Sequence, residues 1–110
     1  MVEGEPLKDL YALETPKGGF KEILRLKKML EEKHVPFVFK ENFGGYQIVY
    51  PGYNKEMVCS VIEHCGSYGR EEDKLEIMGL LTEEEYEVDS VKGYLTAEEV
   101  FGRIINDWEK

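Results

Sequence analysis

Between Phe37 and Ile62 the chain holds three short runs of strand-forming residues joined by nothing longer than a turn. Phe37-Val38-Phe39-Lys40, Tyr46-Gln47-Ile48-Val49-Tyr50 and Met57-Val58-Cys59-Ser60-Val61-Ile62 are rich in aromatic and β-branched side chains, which suit a pleated, half-buried surface. Asn42-Phe43-Gly44-Gly45 and Pro51-Gly52-Tyr53-Asn54 supply turn residues between them. Parallel strands need a crossover of a dozen or more residues, so connections this short predict a three-stranded antiparallel meander. On the third run Met57, Cys59 and Val61 share one face, and Val58, Ser60 and Ile62 share the other.

Helical periodicity flanks the meander. Residues 1–15 read as an N-terminal extension, and Pro16-Lys17-Gly18-Gly19 breaks the chain before an amphipathic helix. Phe20, Ile23, Leu24, Leu26, Met29 and Leu30 recur at helical spacing, and Pro36 closes the helix near Lys33-His34. Glu71-Glu72-Asp73 reads as the start of a second helix with Leu75, Met78 and Leu81 on its apolar side. Thr82-Glu83-Glu84-Glu85 and Thr96-Ala97-Glu98-Glu99 both fit the capping box. Behind the second box, Ala97, Val100, Phe101, Ile104, Ile105 and Trp108 predict a final helix, and Tyr86 to Leu95 reads as irregular or briefly extended.

The expected fold is therefore one α+β domain over residues 16–110. It comprises an N-terminal helix, the three-stranded antiparallel meander, and two to three C-terminal helical segments packed on one sheet face. Its core should draw on Phe20, Ile23, Leu24, Phe37, Phe39, Ile48, Val61, Leu75, Phe101, Ile104, Ile105 and Trp108. A second sheet face left uncovered would suit a partner or a homodimer.

At 110 residues the chain suits one domain with one modest core. No stretch approaches the roughly 18 apolar residues of a membrane span. The start, Met1-Val2-Glu3-Gly4-Glu5-Pro6, lacks the basic and apolar regions of a secretory signal. Two cysteines, Cys59 and Cys65, are too few for a disulfide scaffold. These features predict a cytoplasmic domain without cofactor or metal.

The net charge of −9 is uneven: residues 1–55 hold 9 Lys and Arg against 8 Asp and Glu, and residues 56–110 hold 5 against 15. Such a half repels nucleic acid and anionic membrane and favours a basic protein surface. Glu71, Glu72, Asp73, Glu76, Glu83, Glu84, Glu85, Glu87 and Asp89 would carry that attraction, in the manner of a phosphate backbone presented to a basic groove. Seven tyrosines, with Tyr46, Tyr50, Tyr53 and Tyr68 near the strands and turns, suit either an interface or half-buried sheet positions.

No recognised catalytic pattern assembles. His64 and Cys65 are adjacent, and adjacent side chains on extended backbone point apart, so a thiol–imidazole dyad would need His34 brought to Cys65 by folding. Cys59, Glu63, Cys65 and either histidine lack the paired ligand spacing of a zinc site. The turn Gly66-Ser67-Tyr68-Gly69-Arg70 precedes the expected second helix, where backbone amides could cradle a phosphate. It has no Walker ending, and the acids behind it would repel an anion. His64, Ser67, Tyr68 and Arg70 could still line a small pocket for a nucleotide-like ligand, or the turn is simply structural.

The phrases Gly44-Gly45-Tyr46-Gln47-Ile48, Cys59-Ser60-Val61-Ile62-Glu63-His64-Cys65-Gly66-Ser67-Tyr68-Gly69, Leu75-Glu76-Ile77-Met78-Gly79-Leu80 and Tyr94-Leu95-Thr96-Ala97-Glu98-Glu99-Val100-Phe101 carry a resemblance. In their order the chain resembles small uncharacterised proteins encoded by phages and prophages of Firmicutes, over about residues 20–108. The resemblance implies a genomic context and no catalytic residue. Accessory proteins of that kind often bind and block a host protein, including defence factors, which implies a non-enzymatic protein working in the cytoplasm of a bacterial host.

Overall fold

The computed structural model of the chain describes residues 19–52 and 56–110. The expected extension at 1–15, the break at Pro16-Lys17-Gly18 and the turn residues Tyr53 and Asn54 lie outside the described residues. Five antiparallel strands run in sequence order across one sheet: β1 (Val38–Asn42), β2 (Gly45–Tyr50), β3 (Cys59–Glu63), β4 (Leu75–Met78) and β5 (Val91–Leu95). The first three form the expected meander. The chain then continues the same pattern for two strands more.

Both additional strands correct the sequence reading. Glu71-Glu72-Asp73 does not open a long helix: Arg70–Glu72 forms a single 3-10 turn, closed by Asp73 in the left-handed region at φ 57°. Leu75 and Ile77 then point into the core with no exposed surface, while Glu76 and Met78 face the other way. That alternation of period two overrides the Leu75–Met78 spacing that suggests a helix. β5 is harder to see because it carries a bulge. Leu75 pairs with Leu95 but Ile77 pairs with Lys92, so four residues of β5 span three of β4.

Among the described residues three helices accompany the sheet: α1 (Lys21–Glu32), α2 (Glu83–Val88) and α3 (Ala97–Trp108). Ile23, Leu26 and Leu30 of α1, and Ala97, Val100 and Ile104 of α3, are buried with Ile48, Val61 and Ile77, which lie side by side across β2, β3 and β4. Each such large aliphatic side chain contributes about 1.5–3 kcal/mol by burial. Leu24 and Trp108, expected in the core, lie at the margins of their apolar stripes and remain 45% and 46% exposed. Both expected capping boxes are present, Thr82 with Glu85 and Thr96 with Glu99. α1 and α3 are further tied together at their N-terminal ends. Glu22 accepts from the Ala97 amide at 2.6 Å, and Arg25 binds both Glu22 and Glu98.

Two glycines separate close approach from mere occupancy. A Cβ on Gly45 would lie 2.1 Å from the Glu63 carbonyl oxygen and 2.8 Å from the Phe20 ring, whereas one on Gly102 of α3 would meet nothing within 4 Å. Gly45→Ala should therefore cost about 1–3 kcal/mol through overpacking. Gly102→Ala should stabilise by about 1 kcal/mol, raising Tm by about 4 °C through helix propensity alone. Thermal unfolding of the two variants checks both signs.

Candidate functional site

The most unusual chemistry lies at the N-terminus of α1. Helix starts leave backbone amides without intrahelical acceptors, and a local Ser, Thr, Asp or Asn usually serves them. Here the preceding residue is Phe20, in the left-handed region at φ 76°, and it supplies no side-chain cap. Asp73 serves instead, accepting from the Lys21 and Glu22 amides at 3.2 Å each, and Glu63 accepts from the Ile23 amide at 3.3 Å. The Arg70 guanidinium lies 4.0 Å from the centre of the Phe20 ring, which also packs edge-to-face with Tyr46. Arg70 Nη1 also stands 3.7 Å from Glu63 Oε2. Burying Phe20 between these groups holds a backbone conformation that a bulky residue adopts only under constraint.

Glu63 is fully buried, and burial pushes its carboxyl up to about 9, with the neighbouring Asp73 carboxylate adding to the rise. The Ile23 amide and Arg70 act in the opposite direction and do not overcome it. Sequence reasoning named Glu63 only as a candidate metal ligand. The available signal was its phase, since Cys59, Val61 and Glu63 alternate along β3 and all three are buried.

The four residues nominated at the His64–Arg70 turn do not converge. His64 Nδ1 accepts from the Gly66 amide at 3.0 Å. Ser67 is buried, and its hydroxyl accepts from the His64 amide and donates to the His64 carbonyl, both at 3.0 Å. Tyr68 is 56% exposed while Arg70 is turned inward beneath Phe20. The imidazole and hydroxyl therefore build the turn, and the guanidinium packs against the clasp at α1. His34, the imagined partner of Cys65, lies beyond the opposite end of α1, a helix about 18 Å long.

Eight of the nine acids form two groups at opposite ends of the β4–β5 pair, and Glu76 lies on β4 between them. Glu71, Glu72 and Asp73 precede Leu75 at one end, and α2 links Met78 to Val91 at the other. Several already have internal tasks. Glu71 accepts from the Tyr94 hydroxyl at 2.6 Å, and this bond holds its carboxyl below the usual range. Glu76 accepts from the Tyr68 amide at 2.8 Å, and Glu72 pairs loosely with Lys74 at 3.9 Å. Asp89 accepts from the Ser90 amide at 2.6 Å. Glu85 meets Arg103 through both carboxylate oxygens at 2.8 Å, and its carboxyl is held down at about 2, with Arg103 the leading cause.

α2 itself buries none of its residues, and Glu83, Glu84, Tyr86, Glu87 and Val88 are exposed. Arg103 also donates to the Leu80 carbonyl at 2.8 Å, so one guanidinium fastens both the entry to α2 and its third residue. Beneath it, Tyr50 donates its hydroxyl to Asp107 at 2.6 Å, and burial pushes the nearby Cys59 thiol up to about 12. Cys65 is exposed, and both thiols are free. Among the described residues, no group of three or more His, Cys, Asp or Glu side chains could hold a metal ion. No described helix is long and apolar enough to cross a membrane.

Comparison with known proteins finds no matching family model, no matching curated protein and no matching solved structure. The chemistry of the surface must carry the functional argument. The bidentate Glu85–Arg103 pair is the contact on which that surface rests. A double-mutant cycle of Arg103→Ala and Glu85→Ala should return a coupling of about 1–2 kcal/mol in urea unfolding. Additive losses would mean that the pair does not fasten α2.

Proposed function

We propose that this chain is a non-enzymatic binding protein that seats α2 on a basic surface of a partner protein. One observation carries the reading: a six-residue helix with no buried residue is nevertheless held by a capping box and a bidentate ion pair. Packing does not require such a segment, since it contributes little apolar burial of its own. What it presents is a half-exposed tyrosine and an 87% exposed valine among carboxylates. An aromatic anchor ringed by charge suits an interface, where the ring excludes water and the charges steer association.

The likeness of the chain's phrasing to phage and prophage proteins of Firmicutes supports a finer reading. In it the protein acts in the bacterial cytoplasm as an accessory factor that blocks a host protein. A target that ordinarily holds a polyanion such as DNA would offer the complementary basic groove. Glu83, Glu84, Glu87 and Tyr86 are the contact residues of this reading. Glu85 is excluded because it is committed to Arg103.

The test compares capture from a bacterial lysate by the wild type and by Glu83→Lys/Glu84→Lys/Glu87→Lys. A stoichiometric basic protein should bind only the wild type and should elute as rising salt shortens the screening length below about 10 Å. Tyr86→Ala should weaken the same complex while leaving its salt dependence intact. Equal capture of the same protein by the charge-reversed variant would refute the assignment of α2.

A further inference from the structure

We propose that the buried Glu63 carboxyl at the N-terminus of α1 keeps its proton at neutral pH, and that losing it unlatches α1 and the 64–73 segment together. Hydrogen-bond supply is unequal between the two carboxyls. Asp73 has a backbone amide on each oxygen, from Lys21 and Glu22. Glu63 has one amide on Oε1, from Ile23, and no hydrogen-bond donor on Oε2. A buried carboxylate needs several donors to be held in its ionised form, and Glu63 has one at 3.3 Å. The acid form needs fewer, because it carries its own proton.

Charge balance points the same way. Among the described residues, the groups that face the clasp are the amides of α1, the Phe20 ring, Arg70 and Asp73 of the following turn, and the Tyr46 ring of β2 behind Phe20. Other nearby charges are engaged elsewhere: Glu22 with Ala97 and Arg25, and Lys74 with Glu72. His64 uses Nδ1 within its own turn. Two carboxylates thus meet one guanidinium and the partial positive charge of a helix end, about half an elementary charge. Arg70 makes no hydrogen bond through Nη1 or Nη2, so it gives Glu63 an attraction across 3.7 Å rather than a closed pair. The positive charge facing the two carboxylates falls short of their own, and a proton on the oxygen without a donor, Glu63 Oε2, makes up the shortfall. The upward displacement of the Glu63 carboxyl to about 9 agrees with this placement.

The consequence for stability has a definite sign. The native chain holds a proton that the unfolded chain releases near the ordinary value of 4.5, so this group's contribution falls as pH rises from about 4.5 to about 9. At the alkaline end Glu63 carries a buried negative charge beside Asp73, offset only by one amide and by Arg70 across 3.7 Å. Because Glu63 and Asp73 bracket the turn, the turn loosens with the helix.

The test is a carbon-13 NMR titration of the glutamate carboxyl groups in the full chain, with amide protection of Lys21, Glu22 and Ile23 followed in parallel. One glutamate should remain in the acid form at neutral pH and titrate near the alkaline end of that window. Its signal should be absent from Glu63→Gln, and the intrinsic-rate-corrected protection of the three amides should fall with it in the wild type only. Asp73→Asn, which removes the neighbouring charge, should move the midpoint down by about one pH unit or more. All glutamates ionised at neutral pH would overturn the proposal, whether or not Glu63→Gln folds. An unmoved midpoint in Asp73→Asn would overturn the part given to the Asp73 charge in holding that proton.

Discussion

The N-terminus of α1 is held by side chains that lie 40 and 52 residues further along the chain, and much of the architecture depends on that grip. Glu63 ends β3 and Asp73 precedes β4, so one cluster fixes the helix, the strand end and the turn between the two strands. Phe20 must then enter the helix from the left-handed region, which its burial against Arg70 and Tyr46 sustains. Gly45 must lack a side chain, because Glu63 and Phe20 occupy the space that one would need. α3 joins through Glu22, which stands in the first turn of α1 and accepts from the first amide of α3. Local cap, strand end and helix pair are thereby one cooperative unit.

Elements whose apolar period is unbroken were legible in the sequence. α1, α3 and the first three strands follow from spacing, and both threonine caps follow from their glutamates. β4 was obscured because Leu75 and Met78 fit a helical period while Leu75 and Ile77 fit a strand, and only the left-handed Asp73 decides between them. β5 was obscured by its bulge, where Tyr94 adopts φ 60° and breaks the alternation. The clasp was hidden for another reason. Glu63 lies in phase with Cys59 and Val61, which locally marks a buried carboxyl, but its partners Asp73 and Ile23 are supplied only by the tertiary fold. Arg70 looked like a ligand-facing cation because nothing near it in sequence announces Phe20.

The acidity of the C-terminal half divides into two kinds of work. Glu63, Asp73, Glu76 and Glu85 bind backbone amides or cations of the chain itself and set its geometry. Glu83, Glu84 and Glu87 face solvent on a helix that the core does not need. A net charge of −9 therefore overstates the charge available for recognition. Those three carboxylates stand on α2 beside an aromatic and an aliphatic side chain that solvent can reach.

The dependence of the fold on its distant cap is tested most directly by comparing the thermal unfolding of Asp73→Ala with that of Glu72→Ala. The two residues are adjacent, acidic and on the same turn, but only Asp73 reaches the amides of Lys21 and Glu22. Loss of that cap should lower stability by about 1–2 kcal/mol, a fall in Tm of roughly 5–10 °C. Glu72→Ala should stay within about 0.5 kcal/mol of the wild type, as an exposed and loosely paired carboxylate does. Equal and small effects of the two substitutions would contradict the account, because α1 would then be held in place by packing alone.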